Sequence, residues 1–258
     1  MNDVLQNLHD AGPAAQLSTV GDWVLREFTV VGSTNLIAAD LPAWNAVVAK
    51  IQINGRGRFQ RRWISDHGGL WLSAVVPSEF NSPAGRAMPL AAGLAVFDAL
   101  QSLGVENIRM RWPNDLLVNN RKLAGLLLDQ FKPGLTVIGI GINVFNAPEV
   151  RDKSLANQTT RLADLLPDPP SLQDLTALIL HHFRAVVGQM HDGGFPSLLP
   201  RLSRLWGPPR RIEIDLDGQL RHGIFNGVDD QGRLLLSDDA GQTAAFASHQ
   251  VTHLKELS

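Results

Sequence analysis

The sequence contains no cysteine among its 258 residues, which excludes disulfides and thiolate chemistry. Long apolar runs are also absent, because Asp98 interrupts "PLAAGLAVFDAL", the best candidate, and the run is too short to cross a bilayer. The N-terminal residues mix polar and apolar types and do not form a signal peptide. We therefore expect a cytoplasmic protein that does not associate with membranes.

Lysine is scarce, with five residues against 18 arginines. The chain is nevertheless slightly acidic, with a formal net charge of -2. Against this background, residues 53–63 ("INGRGRFQRRW") carry four arginines and two glycines and no acid. Glycine allows the backbone to approach a ligand closely, and guanidinium groups bind phosphate oxygens in pairs. The loop therefore indicates an anion site, although a solvated basic loop or a nucleic-acid contact would show the same composition.

The order of predicted elements indicates an α+β fold. Strand patterns such as "WVLREFTVV", "AVVAKIQI" and "LTVIGIGINV" alternate with the helical patterns "PLAAGLAVFDALQSL" and "SLQDLTALILHHFRAVVGQM". After the break at "GPP" (207–209), short strands and turn signals recur about every ten residues without a helix. We predict a leader over residues 1–21, a mixed β-sheet flanked by helices over 22–206, and a small β-barrel over 207–258.

Local signals place two turns more closely. Asn119 and Asn120 separate two apolar runs, and asparagine tolerates the left-handed backbone that a tight hairpin needs. Ser171 with Asp174 three residues later resembles a capping box at the start of a helix. Ser33 or Thr34 is predicted to cap a short helix.

Two further motifs are ambiguous alone. "RWPND" (111–115) reads as a rigid turn around a tryptophan, in which Asp115 fixes the turn. "GIGIN" (139–143) places two glycines on one face of a strand, which leaves a slot for a flat ligand or for close packing. Lys122 is predicted to serve the hairpin. No histidine pair has the spacing of metal ligands.

The motifs "STN", "GRGR…RRW", "RWPND", "RKLAG" and "GIGIN" occur in an order that resembles the biotin protein ligases, over about residues 24 to 256. This resemblance implies a biotinyl/lipoyl ligase-like catalytic domain with an SH3-like C-terminal barrel. It further implies that biotin and ATP form biotinyl-5'-AMP, and that biotin then passes to a lysine of a biotin carboxyl carrier protein domain, as in acetyl-CoA carboxylase. Mg²⁺ is expected with ATP, without an assigned protein ligand.

The resemblance also assigns roles to individual residues. It implies that Arg58 and Arg111 are catalytic. It implies an adenylate-binding set of Arg56, Arg58, Arg61, Trp63 and Asn143, and a biotin-binding set of Ser33, Thr34, Asn35, Gln52, Gly55, Arg56, Arg58, Arg111 and Gly139.

Two positions depart from the family pattern. Arg111 stands where the family usually has lysine, and Gln60 stands where it usually has glycine. A non-catalytic binder of biotin or its adenylate therefore remains an alternative, as does a lipoyl or octanoyl transfer enzyme. About 21 residues precede the first predicted strand, too few for a helix-turn-helix domain, so no DNA binding is expected. A homodimer is left open.

Overall fold

The structure is a computed structural model that describes Ala14, residues 16–78 and residues 83–257. Most of these residues form or pack against a mixed eight-stranded sheet, whose strand order is β1-β2-β3-β4-β8-β7-β6-β5. β2 and β3 are parallel, and the other neighbours are antiparallel. The strands are β1 (Gln16–Val20), β2 (Trp23–Val31), β3 (Asn45–Gln52), β4 (Leu70–Pro77), β5 (Ile108–Arg111), β6 (Asp115–Val118), β7 (Arg121–Lys132) and β8 (Leu135–Ile142).

The strand β1 lies inside the segment predicted as a leader. It pairs with β2 through a tight turn at Gly21, whose φ of +56° is one that glycine adopts without strain. Residues 16–20 therefore belong to the main sheet, and the leader reading is wrong for them. The rest of the predicted leader lies outside the described residues, apart from Ala14.

Two long helices, α2 (Pro83–Ser102) and α4 (Leu172–Gly193), pack against each other, and both contact the main sheet. α4 begins as predicted, because Ser171 Oγ lies 3.1 Å from the amide of Asp174 and 2.7 Å from its carboxylate. The short α1 starts directly after Ser33, whose side chain makes no capping hydrogen bond. No helix among the described residues has the length and apolarity to cross a membrane. The helices are α1 (Thr34–Ala38), α2 (Pro83–Ser102), α3 (Pro148–Arg151), α4 (Leu172–Gly193) and α5 (Leu199–Leu202).

The predicted hairpin at Asn119 and Asn120 is confirmed, since both residues have positive φ between β6 and β7. Beyond residue 209 the chain forms a separate antiparallel sheet in the order β12-β11-β10-β9-β13, consistent with a small SH3-like domain. One hydrophobic core continues from the main sheet into this second sheet through Trp206 and Phe225. Its strands are β9 (Arg210–Leu216), β10 (Gln219–Val228), β11 (Leu234–Ser237), β12 (Thr243–Phe246) and β13 (His253–Glu256).

Candidate active site

A cavity of about 760 Å³ lies between the main sheet, the arginine loop (residues 55–62) and residues 251–254 of the C-terminal sheet. Its size is within the usual range for small-molecule and cofactor sites. The structure brings nearly all the predicted site residues to this cavity. Gly55 is the exception: a Cβ there would lie 2.4 Å from Ser65 Oγ and from the Trp63 carbonyl oxygen, behind the lining. The predicted residues that line it are Ser33, Thr34, Asn35, Gln52, Arg56, Arg58, Arg61, Trp63, Arg111, Gly139 and Asn143.

One end of the cavity is a neutral, hydrogen-bonding recess at the start of α1. The backbone amide and Oγ1 of Thr34 lie 2.8 and 2.9 Å from Gln52 Oε1. Ser73 Oγ lies 2.7 Å from Thr34 Oγ1 and 2.6 Å from Asn35 Oδ1. Gly139 on β8 makes room for this network, because a Cβ there would lie 2.5 Å from Asn35 Oδ1. The recess presents amides and hydroxyls without a formal charge, which suits a neutral polar group.

The arginine loop closes over the cavity and is tied to the C-terminal sheet. Arg58 donates hydrogen bonds to the carbonyl oxygens of Ser248 and, at 3.4 Å, Val251. Arg61 Nη2 lies 3.5 Å from the Thr252 carbonyl oxygen. Both sheets therefore contribute to the wall of the site.

Arg58 is a partly buried cation. Burial lowers its pKa to about 10, although the negative charge of Asp115 acts in the opposite direction. The guanidinium remains charged at neutral pH. Within the described part of the chain, no carboxylate lies within ion-pair distance of it. A partly buried cation whose hydrogen bonds to the described residues go to carbonyl oxygens favours an anionic ligand.

Gln60 next to this cation has a φ of +58°, and Phe59 has a φ of +54°. The loop therefore does place a left-handed backbone at the position where glutamine replaces the family's glycine.

A second cationic group surrounds Asp115. Lys122 Nζ lies 2.6 Å from Asp115 Oδ1, and Arg111 Nη2 lies 2.6 Å from Oδ2. Burial alone would raise the pKa of Asp115, but the two cations outweigh it and the net shift is downward. Asp115 is thus a carboxylate that holds two cations at the cavity.

Lys122 is the functional candidate that the sequence reading missed. It was predicted to serve the hairpin, yet it lines the cavity, and Nζ lies 4.8 Å from the centroid of the Trp63 ring. One signal in the sequence could have identified Lys122: it is one of five lysines in an arginine-rich chain.

Trp63 lies on a platform made by two glycines. Gly125 and Gly141 are paired across β7 and β8. A Cβ at Gly141 would lie 2.7 Å from Trp63 Nε1, and one at Gly125 would lie 2.8 Å from Cζ3. The slot predicted for a flat ligand is therefore filled at Gly141 by the indole. The buried Nε1 has no hydrogen-bond partner among the residues that the structure describes.

Asn143 is committed to local structure. Its Nδ2 donates to the Thr160 carbonyl oxygen at 3.2 Å, and its Oδ1 accepts from Asn146 at 2.9 Å. It fixes the segment that brings Gln158 and Thr159 to the cavity.

The described residues offer no group of three or more His, Asp or Glu side chains that would hold a metal ion. Of the carboxylates that line the cavity, Asp115 is already paired with two cations, and Asp152 accepts hydrogen bonds from Ser154. These residues do not form a Mg²⁺ cage, so we assign the ion no catalytic step.

A neutral recess, a cluster of cations and an aromatic shelf line a single cleft. This arrangement, on a mixed sheet with a small C-terminal β domain, defines a ligase-type catalytic domain. The model of the Biotin/lipoate A/B protein ligase family matches residues 29–144.

The chain is 31% identical over 245 residues to Biotin--[acetyl-CoA-carboxylase] ligase of Mycobacterium tuberculosis, covering 89% of this chain and 90% of the relative. It is 33% identical over 223 residues to Bifunctional ligase/repressor BirA of Escherichia coli, covering 81% of this chain and 68% of the relative. The chain therefore belongs to the biotin protein ligase family.

Its fold is similar to that of a biotin protein ligase from Aquifex aeolicus solved in complex with biotin and ATP. The TM-score is 0.80 at 23% identity, and the match covers 90% of this chain and 99% of the other.

Proposed function

We propose that this chain is a biotin–protein ligase. In the first reaction, a carboxylate oxygen of biotin attacks the α-phosphorus of ATP, which forms biotinyl-5'-AMP and releases pyrophosphate. In the second, the amine of a carrier lysine attacks the acyl carbon, which forms an amide and releases AMP and a proton. The carrier is a biotin carboxyl carrier protein domain, and the reaction takes place in the cytoplasm.

The observation that carries the proposal is the position of Arg58. Its partly buried guanidinium lies in the loop that closes the cavity, and it lines the same cleft as the neutral recess and Trp63. The first reaction brings a carboxylate against a phosphate, so two anions must approach one another. Fixed cations in a site that excludes water offset this repulsion strongly. Arg58 and Lys122 supply such cations without movement of a proton.

The remaining residues divide the ligand between them. The recess binds the neutral ureido end of biotin, and the shelf binds the adenine. Lys122 and Arg111, held by Asp115, contact the acyl and phosphate oxygens together with Arg58. Catalysis is then positioning and electrostatic stabilisation, without a covalent enzyme intermediate. In this proposal the ureido and acyl side contacts Ser33, Thr34, Asn35, Gln52 and Gly139, and the nucleotide side contacts Arg56, Arg61, Trp63 and Asn143. Gly55 leaves room for Ser65 and Trp63 and does not touch the ligand.

The direct test is transfer to an acceptor. The purified chain is incubated with ATP, Mg²⁺, biotin and a biotin carboxyl carrier domain, and the carrier mass is followed. We expect a single biotin addition at one lysine. Biotin binding without transfer would overturn the ligase proposal in favour of a non-catalytic binder. Parallel reactions with lipoate or octanoate test the other acyl groups, and preferential transfer of either would also contradict it.

A further inference from the structure

A second cavity, of about 420 Å³, lies across the arginine loop from the first. The loop residues Arg56 and Arg58 line both cavities. Among the described residues that line the second cavity, Asp129 is the single acidic side chain. It does not line the first cavity, where the ligand is proposed to bind.

Asp129 nevertheless bonds to two residues of the first cavity. Its Oδ2 accepts from Asn35 Nδ2 at 2.8 Å and from Arg56 Nη2 at 3.2 Å. Asn35 belongs to the neutral recess, whereas Arg56 belongs to the arginine loop. One carboxylate oxygen therefore joins the floor of the site to its cover.

The hydrogen bond between Asn35 and Asp129 involves a buried side chain with a fixed orientation. Asn35 is 4% exposed, and its Oδ1 lies 2.6 Å from Ser73 Oγ. With Asp129 accepting from Nδ2, the amide has one orientation that satisfies both neighbours. A ligand group that bonds to Asn35 therefore acts on a side chain that is already bonded to both Ser73 and Asp129.

The ion pair between Arg56 and Asp129 is more exposed. The side chains of Arg56 and Asp129 are 38% and 26% exposed, so the ion pair by itself contributes little to folding. Its effect is on loop position, because Arg56 is also bridged to Arg62 across the base of the loop.

We propose that Asp129 is a positioning residue that couples occupation of the recess to closure of the arginine loop. Asp129 touches neither substrate; it acts through Asn35 on one side and Arg56 on the other. Binding of the acyl ligand and closure over the nucleotide then favour one another, and the coupling is reciprocal. This inference rests on the proposed biotin and ATP sites.

Two substitutions of Asp129 distinguish the effect of its contact with Asn35 from that of its contact with Arg56. Asp129→Asn keeps an acceptor for Asn35 but loses the charge that holds Arg56. Asp129→Ala loses both contacts. Asp22→Asn is the matched control. Asp22 forms an exposed ion pair with Arg184, with 3.1 Å between the charged atoms, and neither residue lines either cavity. Thermal unfolding of all three variants shows whether any effect is simply loss of fold.

The measurement is biotin affinity by titration calorimetry, with and without a non-hydrolysable ATP analogue. The ratio of the two dissociation constants reports the coupling. For Asp129→Asn we expect unchanged biotin affinity without nucleotide and a coupling ratio reduced roughly threefold to fivefold, the size of a partly exposed ion pair. For Asp129→Ala we expect biotin affinity itself to fall about tenfold or more, because a charged acceptor is lost from a buried amide.

Equal coupling in the parent, Asp129→Asn and Asp22→Asn would overturn the inference. The inference would also be overturned if the Asp129 variants had a lower melting temperature but the same coupling ratio as the parent, because Asp129 would then have a purely structural role. If the parent binds biotin and transfers it while these variants behave as the parent does, this inference fails alone. If the parent does not bind biotin, the proposed function fails with it.

Discussion

Asp115 holds Lys122 on one carboxylate oxygen and Arg111 on the other, at 2.6 Å each. The three side chains form a cation cluster that lines the same cavity as the recess. Because Asp115 carries one negative charge and its partners carry two positive charges, the cluster has a net positive charge. It is suited to oppose the negative charge that accumulates during adenylation.

Lys122→Met should reduce biotin-dependent adenylation. Methionine keeps the aliphatic bulk against Trp63 but removes the compact charge, and loss of one such group typically costs about 10²–10³-fold in rate. The measurement is the initial rate of biotinyl-5'-AMP formation at saturating substrates. Lys132→Met is the control, because Lys132 pairs with exposed Asp40 at 3.2 Å. Equal rates for both variants would remove Lys122 from the chemistry.

Arg111→Lys should leave activity within about fivefold of the parent, since lysine preserves the charge beside Asp115 and the pair is one-third exposed at Arg111. Arg111→Met should reduce kcat more, by roughly tenfold, because Asp115 then loses one of its two cations. Steady-state kinetics compares the three proteins. A rise of more than tenfold in Arg111→Lys would mean that arginine at this position impairs the parent.

Gly141→Ala should weaken ATP binding more than biotin binding. The added Cβ would lie 2.7 Å from Trp63 Nε1, so the indole must leave its platform. We expect the KM for ATP to rise roughly tenfold with the KM for biotin within about twofold, since misplacement by about 1 Å has such effects. Gly188→Ala is the matched control, because no atom lies within 4 Å of its added Cβ. Equal changes in both KM values would contradict the assigned shelf.

Gln60→Gly should stabilise the fold slightly. Gln60 has a φ of +58°, where a Cβ costs about 1–2 kcal/mol, partly offset by the greater freedom of glycine in the unfolded chain. We expect the free energy of unfolding in urea to rise by up to about 1 kcal/mol. Gln60→Ala retains the Cβ and should give no such gain. Stabilisation by alanine as well would place the effect in the side chain instead of the backbone.

Glu256 should make the attachment of the C-terminal sheet sensitive to acid. It accepts from Arg109 at 2.7 and 2.5 Å and from Arg210 at 2.8 Å. Burial raises the pKa of this carboxyl, but the two arginines outweigh burial and the net shift is downward. Its stabilisation is therefore complete above the ordinary glutamate pKa of about 4.3 and is lost as the pH falls through the lower folded value.

Unfolding of the parent and Glu256→Gln at pH 7 and pH 3 tests this relationship. The stability difference should be about 1–3 kcal/mol at pH 7, the range for a charge-assisted hydrogen bond, and should shrink at pH 3. Asp239→Asn serves as a control, since its partner Arg211 forms an exposed pair. A difference that is the same at both pH values would show that Glu256 does not act through its charge.

The central strands were predictable because their patterns are long and regular. "WVLREFTVV" coincides with β2 (Trp23–Val31), and "AVVAKIQI" overlaps β3 (Asn45–Gln52) with a shift of one residue. β1 and β13 were missed because both are short and mix polar with apolar residues. Each of them is defined mainly by its pairing with a longer strand, at the edge of its sheet, and local sequence does not encode that pairing strongly.

The lining of the cavity was largely predictable from motifs, but its internal contacts were not. Asp129 and Asn35 are separated by 94 residues, and Arg109 and Glu256 by 147. Such pairs form only when the sheets assemble, so no local pattern marks them. Lys122 shows the same limit, because its neighbour Trp63 comes from a distant loop.

The most direct test of the whole account is biotin-dependent exchange of labelled pyrophosphate into ATP by the purified chain. Exchange requires reversible formation of biotinyl-5'-AMP and does not require a carrier. We expect rapid exchange with biotin, no exchange without it, and a large loss of exchange in Lys122→Met. Absence of exchange in the parent, with ATP and Mg²⁺ saturating, would contradict the claim that this cavity joins biotin to AMP.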